Sequence, residues 1–153
     1  MVAVLDENTL RLVRVFDAPR ERVFDAWADE TQFIQWMCPP GVMLDSASLD
    51  VRPGGAWRAH GRNSTGLFAM SGRYLEVKRP ERLVFTWAHH ESDDYDSPRG
   101  HETTVRLEFR SIGNKTELTL IHGPFADTPS RQSHNNGWTG SFDKLETHLR
   151  RMA

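Results

Sequence analysis

Residues 129–152 read PSRQSHNNGWTGSFDKLETHLRRM, and the large apolar side chains in this segment recur at the spacing of one helical face. Successive members are separated by four, three, four and three positions, which places all of them on one side of a helix. A long amphipathic helix that follows a run of strands needs a sheet to lie against, and a curved sheet tends to leave a pocket beneath it. The members of this apolar stripe are Trp138, Phe142, Leu145, Leu149 and Met152.

The ends and the interior of this helix carry further signals. Thr128 or Ser130 is the expected N-cap, with Pro129 in the first turn, where its missing N–H is tolerated. Gly137 and Gly140 each cost about 1 kcal/mol relative to alanine inside a helix. Either another group approaches the helix closely at these positions or the helix bends there. Tight packing against a strand and contact with a ligand are both compatible with such an approach.

Seven segments before this helix have the composition of β-strands, with β-branched and aromatic residues that alternate with polar ones. Short turns rich in Gly, Pro and Asn separate the last six, with one exception, and predict an antiparallel meander. The exception is the polar, acidic connection 92–101, which we interpret as a mobile flap. Two helices are expected after the first strand, at 20–29 and 31–37. The predicted strands are 9–16, 42–51, 56–62, 67–78, 82–91, 102–112 and 115–122.

These elements predict an α+β fold. A curved antiparallel sheet of about seven strands grips a long C-terminal helix, and two short helices follow the first strand. At 153 residues the chain suits one domain, spanning 1–153, whose core needs neither a disulfide nor a metal. Function is then expected in the pocket between sheet and helix, because ligand sites are usually concave and mostly apolar.

Charge and composition argue against several classes of protein. The 19 basic and 21 acidic residues are scattered along the chain, so no nucleic-acid partner is expected. No apolar run reaches the roughly eighteen positions of a membrane span, and acidic residues stand where a secretory signal has its apolar core. The single cysteine, Cys38, cannot form an internal disulfide, which fits a reducing compartment. A cytoplasmic protein without membrane association is expected, and the sequence leaves a homodimer open.

Two histidines share the apolar faces of predicted strands. Counting by twos places His89 on the face of Phe85, and His122 on the face of Leu118 and Leu120. Each is either a polar group at the pocket rim that finds a partner in the protein, or a hydrogen-bonding or acid–base group for a ligand. No HxH, HExxH or CxxC spacing supports a metal site, and no glycine motif predicts a nucleotide cofactor. We therefore expect no metal, no cofactor and no assured catalytic residue, with His122 and His89 as weak candidates.

Large aromatic residues of the sheet and the helix converge on the predicted pocket in a number that exceeds ordinary packing. His134 and Ser141 flank Trp138 on the helix, so they are also expected to face inward. The predicted partner is a small apolar or aromatic molecule. The predicted ligand-binding residues are Trp57, Met70, Phe85, Trp87, His89, His122, Trp138 and Phe142.

Five segments, spread in order over nearly the whole chain, carry a resemblance: VRVFDAPRERVFDAW at 13–27, DVRPGGAWR at 50–58, GRYLEVKRPERLVFTW at 72–87, TELTLIH at 116–122 and GWTGSFDKLETHL at 137–149. Together they resemble the activator of heat-shock-protein-90 ATPase homologue family. That family belongs to the START-like (SRPBCC) helix-grip superfamily, which also contains plant pollen allergens and polyketide cyclases. The resemblance implies the helix-grip fold and no shared catalytic motif.

Three functional hypotheses follow. The leading one is binding of a small, largely apolar or aromatic molecule between sheet and helix, without assured catalysis. A second is a cyclase- or hydrolase-type enzyme in which His122 or His89 acts as general base, assisted by Glu76 or Tyr74. A third, implied by the resemblance, is a chaperone-associated interaction module that uses the outer sheet face or an exposed edge.

Overall fold

The computed structural model describes residues 8–152, in which a seven-stranded antiparallel sheet packs against one long helix and two short ones. The predicted α+β helix-grip architecture is confirmed, and the element bounds lie within about two residues of the expected ones. Residues 1–7, on which the expectation of no secretory signal rests, lie outside the described part. The elements in chain order are β1 Leu10–Phe16, α1 Arg20–Ala28, α2 Glu30–Trp36, β2 Met43–Leu49, β3 Ala56–Asn63, β4 Gly66–Lys78, β5 Arg82–His89, β6 Thr103–Ile112, β7 Lys115–Gly123 and α3 Thr128–Arg151.

The strands are ordered β1-β7-β6-β5-β4-β3-β2 across the sheet. Consecutive strands from β2 to β7 pair antiparallel, whereas β1 pairs with the last strand, with Leu10 opposite His122 and Phe16 opposite Thr116. The first and second strands are therefore the two edges, and α1 and α2 carry the chain from one edge to the other. Both short helices contact α3, so all three helices cover the same face of the sheet.

Alternation along the strands sorts side chains between the helix-covered face and the outer face. In β6 the residues Thr103, Val105, Leu107 and Phe109 are buried, as the period-two count predicts. In β3 the same count is confirmed, because Trp57 is buried whereas His60 lies on the outer side. The inner face supplies the floor of the core, and α3 supplies much of its roof.

Trp27 of α1 lies at the centre of an aromatic cluster that joins three helices to the sheet. Its ring centroid is 4.6 Å from that of Trp36 in α2 and 5.6 Å from that of Trp138 in α3. The rings of Phe142 and Phe85 lie at 6.3 and 6.4 Å. Ring pairs at these separations are favourable beyond the area they bury. Sheet and terminal helix are thus held together through a side chain of the short helix between them.

The ends of α3 differ from the expected ones. The N-cap is Asp127, whose carboxylate accepts a hydrogen bond from the Ser130 backbone N–H at 2.8 Å, so the prediction of Thr128 or Ser130 was wrong. A carboxylate is favoured at this position because it also complements the positive end of the helix dipole. Met152 is 52% exposed, so the apolar stripe ends at Leu149 rather than at Met152. Among the described helices, none combines the length and apolar character needed to cross a bilayer.

The connection between β5 and β6 is fastened by hydrogen bonds along its length. The Glu91 N–H donates to the Pro98 carbonyl at 2.9 Å, and the Gly100 N–H donates to the His89 carbonyl at 2.7 Å. The Arg99 guanidinium donates to the hydroxyl and the carbonyl of Ser71 on β4, at 3.0 and 2.8 Å. These contacts hold the loop against the outer face of the sheet. The mobility of this loop stays a prediction.

His60 ties the same loop to the edge of the sheet. Its Nδ1 lies 2.8 Å from the Asp45 carboxylate of β2, and its Nε2 lies 3.2 Å from the Asp93 carboxylate of the loop. The hydrogen bonds to Asp45 and then to Asp93 raise the pKa of His60 above its ordinary value. Only the protonated ring donates to both carboxylates at once, so the link between β2, β3 and the loop depends on protonation.

We predict that the stability gained from His60 is present below about pH 6.5, its unfolded pKa, and is lost as the pH rises through the raised folded value. Urea denaturation of the wild type and of His60→Gln should therefore differ more at pH 5.5 than at pH 8.5. His101→Gln is the matched control, because His101 is an exposed histidine bonded to the Pro124 carbonyl. A His60→Gln difference that is the same at both pH values would contradict the prediction.

Candidate functional site

A cavity of about 210 Å³ lies between the sheet and the N-terminal half of α3. Its apolar walls come from three parts of the chain. The sheet contributes Phe68, Met70 and Trp87, and α3 contributes Trp138. The segment after α2 closes the remaining side with Met37, Pro39 and Val42.

The polar groups of the cavity are few, and none of the lining residues is Lys, Arg, Asp or Glu. They therefore offer hydrogen bonds but no formal charge at neutral pH if the histidines are uncharged. Met37 and its neighbours after α2 gave no periodic signal in the sequence, whereas Phe68 could have been found, because it lies two residues before Met70 on the same strand face. The polar lining residues are Cys38, Asn63, His89, Ser133, His134 and Ser141.

The structure brings together half of the residues predicted to contact a ligand. Met70, Trp87, His89 and Trp138 line the cavity, and so do the two helix residues expected to face inward, His134 and Ser141. The other four lie outside its lining. Their involvement in ligand binding stays a prediction. They are Trp57, Phe85, His122 and Phe142.

These four side chains have partners within the core. The Trp57 indole N–H donates to the Thr86 carbonyl at 2.9 Å, and the Trp57 ring packs 5.8 Å from that of Phe85. Phe142 is fully buried and packs 5.6 Å from Phe16. Period-two counting on the strands, and helical spacing for Phe142, identified their face correctly, but neither says where along that face the packing opens.

The His122 ring is fully buried, and both its nitrogens are hydrogen-bonded within the protein. Nδ1 accepts from the Trp138 indole N–H at 2.9 Å, so the other nitrogen must carry the proton. That Nε2–H donates to the Thr103 hydroxyl at 2.6 Å, which donates in turn to the Trp87 carbonyl at 3.3 Å. Burial, with a smaller contribution from neighbouring histidines, lowers the pKa of His122 well below its usual value. His122 is therefore an uncharged link between three strands and α3.

His89 ends β5 at the cavity and lacks such partners. Its ring is exposed to the open space of the cavity, and no hydrogen bond joins either ring nitrogen to residues 8–152. The Trp87 and Phe68 rings lie 6.1 and 6.2 Å from it, centroid to centroid. Partial loss of contact with water at the cavity wall, reinforced by the charges that His134 and His90 can carry, lowers the pKa of His89 to about 4. At neutral pH the ring is uncharged and offers one donor and one acceptor to the cavity.

His134 has one ring nitrogen bonded within α3 and the other without a partner in the described chain. Its Nδ1–H donates to the Ser130 carbonyl one turn earlier in α3, at 2.8 Å. In the uncharged ring this bond leaves Nε2 as an acceptor, and within the described chain that nitrogen has no partner. The ring packs 4.5 Å from Phe125 and 6.2 Å from His89, centroid to centroid. His89 and His134 thus form a neighbouring pair on the cavity wall.

The two glycines of α3 have different surroundings. A Cβ added at Gly140 would lie 3.0 Å from side-chain atoms of Pro39 and Pro40, so the close approach of this loop leaves little room for a side chain. A Cβ at Gly137 would meet nothing nearer than a Pro39 carbon at 4.0 Å, and Gly137 lines the cavity. Packing against the proline loop accounts for a glycine at position 140, whereas no packing contact accounts for the one at position 137.

The loop that packs on α3 is shaped by Cys38. This residue has a φ of 81°, a left-handed conformation that costs a non-glycine residue about 1–3 kcal/mol. Burial raises the pKa of the Cys38 thiol to about 12, so it stays protonated and behaves as a small apolar group. The strained turn brings the following prolines against α3 and closes one side of the cavity.

The acid–base residues of the enzyme hypothesis are not assembled around the cavity. Glu76 forms an ion pair with Arg82 at 2.9 Å. Tyr74 is buried beside Phe85, and burial raises its pKa. Neither side chain lines the cavity. Within residues 8–152, no three potential metal ligands converge into an ion site.

A second depression, of about 610 Å³, lies on the outer face of the sheet beside the β5–β6 loop. Three arginines, Arg58, Arg73 and Arg99, and two carboxylates, Asp96 and Glu102, line it. The Arg58 guanidinium stacks 4.6 Å from the centre of the Tyr95 ring, and Arg99 pairs with Glu102 at 2.7 Å. Such a charged surface differs in chemistry from the uncharged cavity under α3.

Comparisons with known proteins agree with this architecture. Residues 17–150 match the family described as Activator of Hsp90 ATPase homolog 1-like protein. The crystal structure of the AHSA1 protein from Silicibacter pomeroyi is 32% identical, with a TM-score of 0.83 over 95% of this chain and 99% of that one. A Chromobacterium violaceum protein is 26% identical, with a TM-score of 0.79 over 92% and 96%. No curated protein matches the chain significantly by sequence.

Substitution of each helix glycine by alanine should distinguish the glycine that packing explains from the one that it does not. Gly137→Ala should raise the free energy of unfolding by about 0.5–1 kcal/mol, because alanine favours the helix and its Cβ meets no close neighbour. Gly140→Ala should gain less or lose stability, because its Cβ would lie 3.0 Å from Pro39 and Pro40 and the proline loop would have to shift to admit it. Urea denaturation of both variants measures the difference. Equal stabilities would contradict the distinction between them.

Replacing His122 by leucine should lower the free energy of unfolding by about 1–3 kcal/mol, because the buried Trp138 N–H loses its acceptor. His101→Leu, at an exposed histidine, should change it little. The wild type should also lose stability as the pH falls below about 6.5, since His122 takes up a proton in the unfolded chain but not in the native one. A His122→Leu variant with the same acid sensitivity and stability as the wild type would refute this role.

Proposed function

The chain belongs to the Activator of Hsp90 ATPase homolog 1-like family, and we propose that it binds a small, largely apolar or aromatic molecule in the cavity beneath α3. The cavity carries this proposal. Its walls include Met70, Trp87 and Trp138, and no charged side chain lines it. Apolar surface of this kind is removed from contact with water when an apolar ligand enters, which favours binding.

Gly137 supports the same function. A glycine inside a helix costs about 1 kcal/mol relative to alanine. Here no neighbouring atom would clash with a Cβ, so packing gives no reason for a glycine. A side chain at this position would extend into the cavity. The unfavourable residue therefore keeps space open, which is expected of a binding site and not of a packed core.

The size of the cavity limits the ligand. A dry cavity of about 150 Å³ holds benzene, whereas drug-sized ligands occupy roughly 300 Å³ or more. At about 210 Å³ the cavity suits a molecule with one or two rings, or an aliphatic molecule of similar bulk. A long lipid chain would not be enclosed.

The other two hypotheses have less support. An enzyme that uses His122 as base would have to break two buried hydrogen bonds, and neither Tyr74 nor Glu76 lines the cavity beside His89. A chaperone-associated role remains a hypothesis from family membership. Its most direct test is whether a chaperone binds to the arginine-rich depression on the outer face of the sheet.

Naphthalene is a suitable probe of the proposed site, and its addition to the ¹⁵N-labelled protein should shift the indole N–H signals of Trp87 and Trp138. Gly137→Leu should weaken naphthalene binding at least tenfold, because the added side chain occupies the cavity. Asn136→Leu places the same side chain on the exposed face of α3 and serves as the matched control. No binding by the wild type up to the solubility of naphthalene, or equal binding by Gly137→Leu, would overturn the proposal.

A further inference from the structure

The polar groups of the cavity specify more than an apolar ligand. We infer that the cavity binds an uncharged one- or two-ring alcohol or phenol, whose hydroxyl lies between His89 and His134. This inference rests on the proposed function and adds the chemical class of the ligand. It depends on the hydrogen-bonding groups of the His89 and His134 rings, on the absence of charged side chains from the lining, and on the cavity volume of about 210 Å³.

The two histidines together match a hydroxyl group. His134 Nε2 is an acceptor in the uncharged ring, because Nδ1–H is already bonded to the Ser130 carbonyl. His89 has neither ring nitrogen bonded to the described chain, so it can donate to the same oxygen. A hydroxyl is the smallest group that both donates one hydrogen bond and accepts another.

The distance between the rings agrees with one shared oxygen. Their centroids are 6.2 Å apart, and both rings line the cavity. Hydrogen bonds of about 2.8 Å each can join two nitrogens up to about 5.6 Å apart through a single oxygen. Ring nitrogens lie off the centroids, so nitrogens on the facing sides of the two rings are closer together than 6.2 Å, and the proposal places the hydroxyl oxygen between them.

The lining argues against a charged ligand. A carboxylate that enters the cavity gives up its water without meeting a lysine or arginine among the lining residues. An ammonium group likewise meets no carboxylate. The enclosed His89 ring stays uncharged at neutral pH, so it supplies no compensating cation. Arg131, one turn before His134, has a buried Nε without a partner in the described chain, but it lies outside the lining.

Three matched probes test the inference on the full chain at pH 7.5: naphthalene, 2-naphthol and 2-naphthoate. 2-Naphthol is uncharged at this pH because phenols ionise near pH 10. Calorimetric titration should give a dissociation constant for 2-naphthol about three- to tenfold lower than for naphthalene, the effect of one or two hydrogen bonds. 2-Naphthoate should bind at least tenfold more weakly than 2-naphthol.

His134→Phe should remove the preference for 2-naphthol, so that its dissociation constants for naphthalene and 2-naphthol lie within about twofold of each other. His101→Phe, outside the cavity, should keep the preference. Equal binding of naphthalene and 2-naphthol by the wild type overturns the inference while the proposed function survives. Tightest binding of 2-naphthoate also overturns it and points to Arg131. No binding of any probe overturns the proposed function as well. If His134→Phe does not fold, the three probes on the wild type still decide.

Discussion

Much of this structure depends on the contact of one indole ring with its neighbours on three layers. Trp27 belongs to a nine-residue helix, yet its ring meets the long helix at Trp138, the second short helix at Trp36 and the sheet at Phe85. The ring lies between α3 and the sheet, and its size sets the distance between these two layers. Around Trp27, α3 and the sheet pack closely. Beyond it, toward the N-terminal half of α3, the cavity begins.

The boundary between packed core and cavity is formed by a chain of hydrogen bonds. His122 accepts a hydrogen bond from the Trp138 indole N–H and donates one to the Thr103 hydroxyl, which donates in turn to the Trp87 carbonyl. Two tryptophans that line the cavity are thereby connected to one buried, uncharged histidine. A buried polar group that is satisfied in this way fixes geometry, since any other arrangement leaves a donor or acceptor unpaired. The two tryptophan walls of the site are consequently fixed to the core, whereas His89 and His134 keep ring nitrogens without a partner in the described chain and line the cavity.

Charge is distributed unequally between the two faces of the sheet. The outer face carries ion pairs, the arginine-lined depression and the histidine that links β2 and β3 to the β5–β6 loop. The cavity lining on the opposite face has none of the four charged residue types. This separation follows from the antiparallel pleat, in which alternate residues face opposite sides and only one side is covered by helices. An interaction through the outer face and small-molecule binding under α3 would therefore use separate residues.

Periodicity in the sequence was enough to establish the elements, their bounds to within about two residues, and the faces of the strands, because burial on one side imposes a repeat of two or 3.6 on the apolar residues. It also placed Trp87, His89 and Trp138 on the covered face, and the helix-grip architecture followed. It could not separate His122 from His89, since both end strands on that face and differ only in their partners across the sheet and the helix. Nor could it find Met37, Pro39 and Val42, which have no regular spacing and reach the cavity through a left-handed turn at Cys38. Long-range packing therefore located the cavity, because the position at which two close-packed layers separate depends on side-chain volumes far apart in the chain.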